Sequence, residues 1–294
     1  MRGRTNAPDL PEASEVNISG KTRLLGVIGH PISHSLSPLM HNAAFTADGA
    51  DYVYVALDVA PERLESAVSG LASLGFVGFN VTMPHKENII PMLDQMDESA
   101  RISGAVNAVL VRDGGLYGMN TDGSGFVEAC SESGIGFAGK RVLLLGAGGA
   151  AAAVAVAVLG ESPRGLTISN RTVGRAEGLA EKVAHVGGDA EIAAISLSDA
   201  VEHAAYADVI VNTTYLGMKD HAQMPIPAHC LGPDKVVCDA VYLRGEVTEL
   251  IRRAREAGAR TLPGGRMLLY QGVQAQRIWT GREPNVGVMD GALS

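Results

Sequence analysis

The chain has 294 residues, enough for one large domain or two of ordinary size, and 46% apolar with 19% charged residues is a globular composition. A net charge of −8, a pI near 5.5 and the lack of any lysine–arginine run set aside nucleic acid and anionic membrane as partners. Three cysteines (Cys130, Cys230 and Cys238) make no disulfide framework, so a reducing, cytoplasmic setting is expected.

Residues 1–20 are polar, contain proline and lack the apolar core of a signal peptide; they read as a disordered tail. From Arg23 the run Leu-Leu-Gly-Val-Ile-Gly is a short buried strand, and Ser37-Pro38 opens a helix to about Ala47. Tyr52 to Asp58 alternates like a strand, Pro61 to Leu74 has helical spacing, Phe76 to Thr82 is a strand, and Pro84 is expected to start another helix. A second alternating series starts with the strand Arg141 to Leu145 and a turn and helix over Ala147 to Leu159. Strands at Leu166 to Ser169, near Glu191 to Ile195, at Val209 to Asn212 and at Val236 to Ala240 follow, with helices at Arg175 to Val186 and Thr248 to Ala257. The last helix spans roughly Gly265 to Thr280. Val142 to Gly160 is almost wholly apolar, but its internal glycines favour a buried strand–turn–helix over a membrane span. Alternation of this kind predicts two α/β domains with mainly parallel sheets and a boundary near Asn120 to Ser124.

Gly146-Ala147-Gly148-Gly149-Ala150-Ala151 follows a strand and opens a helix, which is G-x-G-x-x-A in the setting where it binds a pyrophosphate. The first glycine permits a tight turn, the second lets backbone approach the anion, and the small last residue packs helix on strand with its N–H groups aimed outward. The next strand ends in Asn170-Arg171-Thr172, with Arg175 close behind, and offers no acid for ribose hydroxyls. Two guanidiniums at that place suit a 2′-phosphate, so NADP(H) is the expected cofactor.

Three further clusters carry chemistry. Ser35 and Ser37, in Gly29-His-Pro-Ile-Ser-His-Ser-Leu-Ser-Pro38, read first as an N-cap with proline in the first turn, yet hydroxyls at a helix N-terminus also suit a carboxylate. In Asn80-Val-Thr-Met-Pro-His-Lys86, Lys86 is expected in the first turn of a helix, where the dipole disfavours a cation and should depress its pKa, making it a proton donor or acceptor. His85 has no second ligand at metal spacing, so no metal is expected. Asp122, in Asn120-Thr-Asp-Gly123, is either a plain helix cap or an acid sharing a proton with Lys86. No Gly-x-Ser-x-Gly elbow supports a hydrolase.

Together the stretches GHPISHSLSP, NVTMPHKE, GAVNAV, NTDGSGF, GAGGAAAA, NRTVGRA, NTTYLGM, DAVY and MLLYQ, running from about Leu25 to Trp279, resemble the shikimate dehydrogenase family. The resemblance implies a substrate domain over residues 21–122, completed by a C-terminal helix over 265–294, and a Rossmann NADP-binding domain over 123–264. It implies reversible NADPH-dependent reduction of 3-dehydroshikimate to shikimate, in the route to chorismate and the aromatic amino acids. By the same resemblance Lys86 and Asp122 form the catalytic pair, Ser35 and Ser37 hold the substrate carboxylate, and Thr82, Asn107, Tyr242 and Gln271 face the substrate. Gly146, Ala147, Gly148, Gly149 and Ala150 cradle the pyrophosphate, Asn170, Arg171, Thr172 and Arg175 take the adenosine phosphate, and Ala240 and Gly264 lie near the nicotinamide. Gln271 also shares a helix face with Leu268, Ala275 and Trp279. The alternatives are a quinate/shikimate dehydrogenase with dual substrate or cofactor use, and a non-catalytic NADPH sensor, which would be expected to lack Lys86 or Asp122. A monomer or a homodimer is expected.

Overall fold

The computed structural model describes residues 18–218, 221–243 and 245–293, so all but the end of the tail expected over residues 1–20 lies outside the described residues. Two six-stranded sheets organise the chain. The first has the order β2-β1-β3-β5-β6-β4, built from β1 (Arg23–Gly29), β2 (Tyr52–Asp58), β3 (Phe76–Val81), β4 (Gln95–Met96), β5 (Ala108–Arg112) and β6 (Gly115–Met119). Strand β1 is parallel to both β2 and β3, and the apolar run that makes it buries five successive residues, as an interior parallel strand requires. Strands β5 and β6 form an antiparallel hairpin through Asp113 and Gly114, whose φ values of 53° and 79° are those of a tight primed turn.

The second sheet is parallel throughout, in the order β12-β11-β10-β7-β8-β9: β7 (Arg141–Leu145), β8 (Gly165–Asn170), β9 (Glu191–Ser196), β10 (Val209–Asn212), β11 (Val236–Asp239) and β12 (Arg260–Leu262). Strand order reverses at β7, which lies between β10 and β8, and crevices at such a reversal are where doubly wound sheets bind ligands.

Of the helices α1 (Ser37–Ala47), α2 (Leu64–Ser73), α3 (Glu98–Ser103), α4 (Asp122–Glu132), α5 (Gly149–Gly160), α6 (Val173–Val183), α7 (Ala200–Ala204), α8 (Glu249–Glu256), α9 (Gly264–Thr280) and α10 (Val286–Gly291), α4, α5 and α9 join the halves. Their approach is set by glycine. A Cβ on Gly123 would stand 2.3 Å from Ala153 O in α5, and one on Gly125 would stand 2.4 Å from Gln271 N in α9. Helix α4 is thus clamped between its neighbours at backbone contact, and Phe126, Val154, Leu144, Leu269 and Val273 share one apolar core around it. Glu128 fastens the same pair, accepting from Arg277 Nη1 and Nη2 at 3.0 Å each and from Gln274 at 2.6 Å. The far end of α9 docks on the first sheet: Trp279 donates its indole N–H to Val109 O at 2.9 Å, and buried Gln276 meets His41 of α1 (Ser37–Ala47) at 2.9 Å.

Two local expectations need correction. No helix starts at Pro84: residues 83–89 form successive turns, and only Ile90–Met92 makes a short 3-10 helix. The four residues after Pro84 are polar, so no apolar face recurs at helical spacing to hold one. Ser37 is not an N-cap either. It is the first residue of α1, and Leu36 stands at the cap with no side-chain cap hydrogen bond of its own.

Candidate active site

Lys86 and Asp122 lie 36 positions apart, in the turn after β3 and at the first residue of α4, yet form a direct ion pair between Nζ and Oδ2. Asp122 is buried and Lys86 half-buried. The helix expected to carry Lys86 in its first turn is absent, so the dipole of its own segment does not act on it; its partner Asp122 is what positions it. Asp122 is held in turn: its Oδ1 accepts from Asn107 Nδ2 at 2.7 Å and its N–H donates to Asn120 Oδ1 at 2.9 Å. Asn107 gives its other N–H to Thr121 Oγ1 at 3.0 Å and accepts from Thr121 N at 2.7 Å, so both N–H groups of its buried amide are engaged by the protein. The β5–β6 hairpin delivers this arrangement, bringing Asn107 at one end beside Asn120–Asp122 at the other.

A line of hydrogen bonds that sequence reading missed extends from here. Asn80 Nδ2 donates to Asn107 O at 2.8 Å, and buried Tyr54 donates its hydroxyl to Asn80 Oδ1 at 2.6 Å. Burial pushes the Tyr54 phenol far up, and the Ser37 side chain acts in the opposite direction. Ser37 N in turn donates to Ser35 Oγ at 3.3 Å. Tyr54 and the Lys86–Asp122 pair therefore stand at two ends of one polar ladder. A tyrosine in an alternating strand gave no sign of this; its partner Asn80 lay in a stretch already singled out.

The remaining candidates are more dispersed. Thr82 is half-buried with its methyl against Gly29, and His85 turns away from Lys86 to meet Val59 O at 2.7 Å. Half-buried Gln271 donates to Leu268 O at 2.9 Å in its own helix. Tyr242, its phenol pushed up by burial, lines a cavity of about 720 Å³ with Val241, Thr248, Pro263 and Gly264. Among the described residues neither Gln271 nor Tyr242 hydrogen-bonds to the Lys86 cluster. Ala240 and Gly264 touch: a Cβ on Gly264 would stand 2.3 Å from Val241 O and 3.0 Å from Ala240 C.

The turn after β7 fits a dinucleotide phosphate. Gly146 has φ +117°, a conformation open to glycine, and Thr213 Oγ1 lies 2.6 Å from where its Cβ would be. Above Gly148 nothing lies within 4 Å. Helix α5 starts there with no side-chain cap and no acid in its first turn, leaving its leading N–H groups for an anion. Beyond β8, exposed Arg171 and Arg175 flank the start of α6 (Val173–Val183). The two groups of residues lie side by side. A Cβ on Gly149 would stand 2.9 Å from the Ala105 side chain, and the adjacent Val106 N donates to Lys86 O at 2.8 Å.

A dinucleotide turn abutting the loop that holds a lysine–aspartate pair, on two packed α/β sheets, defines a pyridine-nucleotide-dependent dehydrogenase. Comparison with known proteins narrows the class. Residues 27–109 match the shikimate dehydrogenase substrate binding domain, 129–218 the shikimate/quinate 5-dehydrogenase model, and 264–293 the shikimate 5′-dehydrogenase C-terminal domain. The shikimate dehydrogenase (NADP(+)) of Rubrobacter xylanophilus is 57% identical over 278 residues, covering 94% of this chain and 97% of that protein. That of Moorella thermoacetica is 47% identical over 281 residues, 95% of each. The shikimate 5-dehydrogenase of Listeria monocytogenes, solved with shikimate and NAD, superposes with a TM-score of 0.88 at 37% identity over 97% of this chain and 100% of that one. The chain belongs to the shikimate dehydrogenase family.

Proposed function

We propose that this protein catalyses the reversible NADPH-dependent reduction of 3-dehydroshikimate to shikimate, with Lys86 as the group that moves the proton. The observation that carries the reading is the junction at Ala105, where the phosphate turn packs on the loop that holds Lys86 and Asp122. NADPH, when bound, supplies the hydride. Everything else falls to the chain. Residues 21–122 with 265–294 form the substrate side, and 123–264 the cofactor side.

Ser35 and Ser37 hold the substrate carboxylate at the N-terminus of α1, where hydroxyls and the helix dipole favour an anion. Thr82, Tyr242 and Gln271 line the rest of the substrate, and Asn107 acts on it from behind Asp122. Asp122 keeps one Lys86 proton engaged and fixes the direction of the ammonium. The remaining Nζ protons point to the substrate oxygen, and one passes to it as negative charge develops there. Lys86 thus polarises the carbonyl and then supplies the proton; in the oxidative direction it takes the proton back. On the cofactor side Gly146 to Ala150 receive the pyrophosphate, Ala240 and Gly264 border the nicotinamide, and Asn170, Arg171, Thr172 and Arg175 take the adenosine 2′-phosphate.

The test follows nicotinamide absorbance with shikimate or quinate crossed against NADP⁺ and NAD⁺. Fast reduction with shikimate and NADP⁺ alone supports the reading. Comparable turnover of quinate or NAD⁺ moves the protein to the dual-specificity branch, and no turnover in any pair leaves a sensor.

A further inference from the structure

One contact in the cofactor half bridges two loops. Arg171 Nη1 donates to Tyr215 Oη at 3.2 Å, joining the loop after β8 to the loop after β10. Because β7 lies between those strands, this bond crosses the end of β7, directly beyond the phosphate turn. The two residues are 44 positions apart, so only the sheet order brings them together.

Tyr215 is mounted rigidly for an exposed residue. On one side, Thr214 N and Oγ1 both donate to Asn212 Oδ1, at 3.0 and 2.7 Å. On the other, Leu216 O accepts from Asn212 Nδ2 at 3.1 Å. Asn212 is fully buried and is itself anchored, donating to Asp239 Oδ1 at 2.9 Å. Met218 N bonds to Tyr215 O at 3.2 Å, and His221 sets its ring edgewise on the phenol, 4.7 Å between centroids. Arg171 has no comparable support: it is exposed, follows the strand end directly, and Tyr215 is its one hydrogen-bond partner among the described residues. A guanidinium on so long a side chain loses rotamer freedom when it binds a phosphate, and a fixed neighbour that already holds it removes part of that cost.

We propose that Tyr215 is a specificity-determining positioning residue, which holds the Arg171 guanidinium in place for an adenosine 2′-phosphate and so favours NADP over NAD. This rests on the reading of Arg171 as a 2′-phosphate ligand. Arginine has five donors and the phenol oxygen engages one, so the fork stays free for phosphate oxygens. An ordering gain of about 0.5–1.5 kcal/mol for one side chain corresponds to about two- to tenfold in affinity.

The experiment titrates the full chain calorimetrically with adenosine 2′,5′-bisphosphate and with 5′-AMP, in the parent, Tyr215→Phe, Arg171→Ala and the double variant. The expected result is that Tyr215→Phe weakens the bisphosphate about two- to tenfold and leaves 5′-AMP unchanged. Arg171→Ala weakens the bisphosphate further, and adding Tyr215→Phe to it changes nothing more. If Arg171→Ala leaves bisphosphate affinity at the parental value, the phosphate reading of Arg171 itself is wrong. If Arg171→Ala weakens binding but Tyr215→Phe does not, the phosphate reading stands and the proposal falls. Equal weakening of both ligands makes Tyr215 a platform for the base, and tighter binding makes the bridge a latch; either overturns the proposal.

Discussion

Replacing Asn107 with alanine separates two roles that the same residue could hold. Facing the substrate, its loss should raise KM; holding Asp122, its loss should lower kcat. The hydrogen bonds argue for the second, because both N–H groups of the amide are engaged by Thr121 Oγ1 and Asp122 Oδ1. The 2.7 Å bond to Asp122 has an ionised acceptor, and such bonds contribute about 1.5–3 kcal/mol. If that amount is lost from the transition state, where the direction of Lys86 matters most, turnover falls about 10- to 100-fold at 1.36 kcal/mol per decade. The assay is initial-rate kinetics in both substrates at saturating cofactor, with thermal unfolding alongside. Some loss of stability accompanies the change, because the buried Thr121 N–H loses its acceptor. A tenfold rise in the KM for 3-dehydroshikimate with kcat intact would refute the positioning argument and make Asn107 a substrate ligand.

Lys86→Ala removes the proton donor and should cut kcat by about 10²- to 10⁴-fold, with shikimate binding measured by calorimetry largely retained; lost binding with turnover preserved would sink its assigned role. Gly125→Ala drives a methyl into the Gln271 backbone, where its Cβ has 2.4 Å of room, and should lower stability by about 1–3 kcal/mol or more while raising the KM for shikimate. An unchanged melting temperature would mean that α4 and α9 separate freely. Asp239, buried and accepting from Asn212, Val241 N and Thr248, is pushed up to about 6 by burial, against an ordinary 3.8. Between about pH 4 and 6 the folded chain therefore keeps a proton that the unfolded chain has lost, so this group's contribution to stability falls as pH rises through that window. Asp239→Asn removes the titration but keeps the shape. The melting-temperature difference, variant minus parent, should grow from about pH 4 to about pH 6 and then level. His41, pushed down to about 4 by burial, acts with the opposite sign in both proteins and cancels in that difference; a flat difference would contradict the argument.

The cofactor turn was legible because all of its determinants are local: a buried strand, glycines at fixed offsets and a helix lie within twenty residues of Arg141. Lys86 and Asp122 could be singled out as residue types, but the dipole argument for Lys86 relied on a helix that four polar residues after Pro84 do not sustain. What orients the pair is long-range. The β5–β6 hairpin brings Asn107 to Asp122, and the local sign of that hairpin is its Asp113-Gly114 turn. Tyr54 escaped notice because a buried phenol reads like any other apolar strand residue, and its function depends on Asn80 across the sheet. The Tyr215–Arg171 bond depends on strand order, which no local pattern in this chain encodes.

The docking of α9 on the first sheet also sets a timetable for synthesis. Leu25, Val27, Phe45, Val77 and Ala108 share one apolar cluster with Ala275 and Trp279 of α9. The first sheet ends at Met119, and α9 ends at Thr280, roughly 160 residues later. At about 5–20 residues per second, that face waits roughly 10–30 s on the ribosome before its cover emerges. The nascent N-terminal half is therefore an apolar surface open to chaperones for most of translation, and a stop codon placed before α9 should leave it insoluble rather than merely inactive.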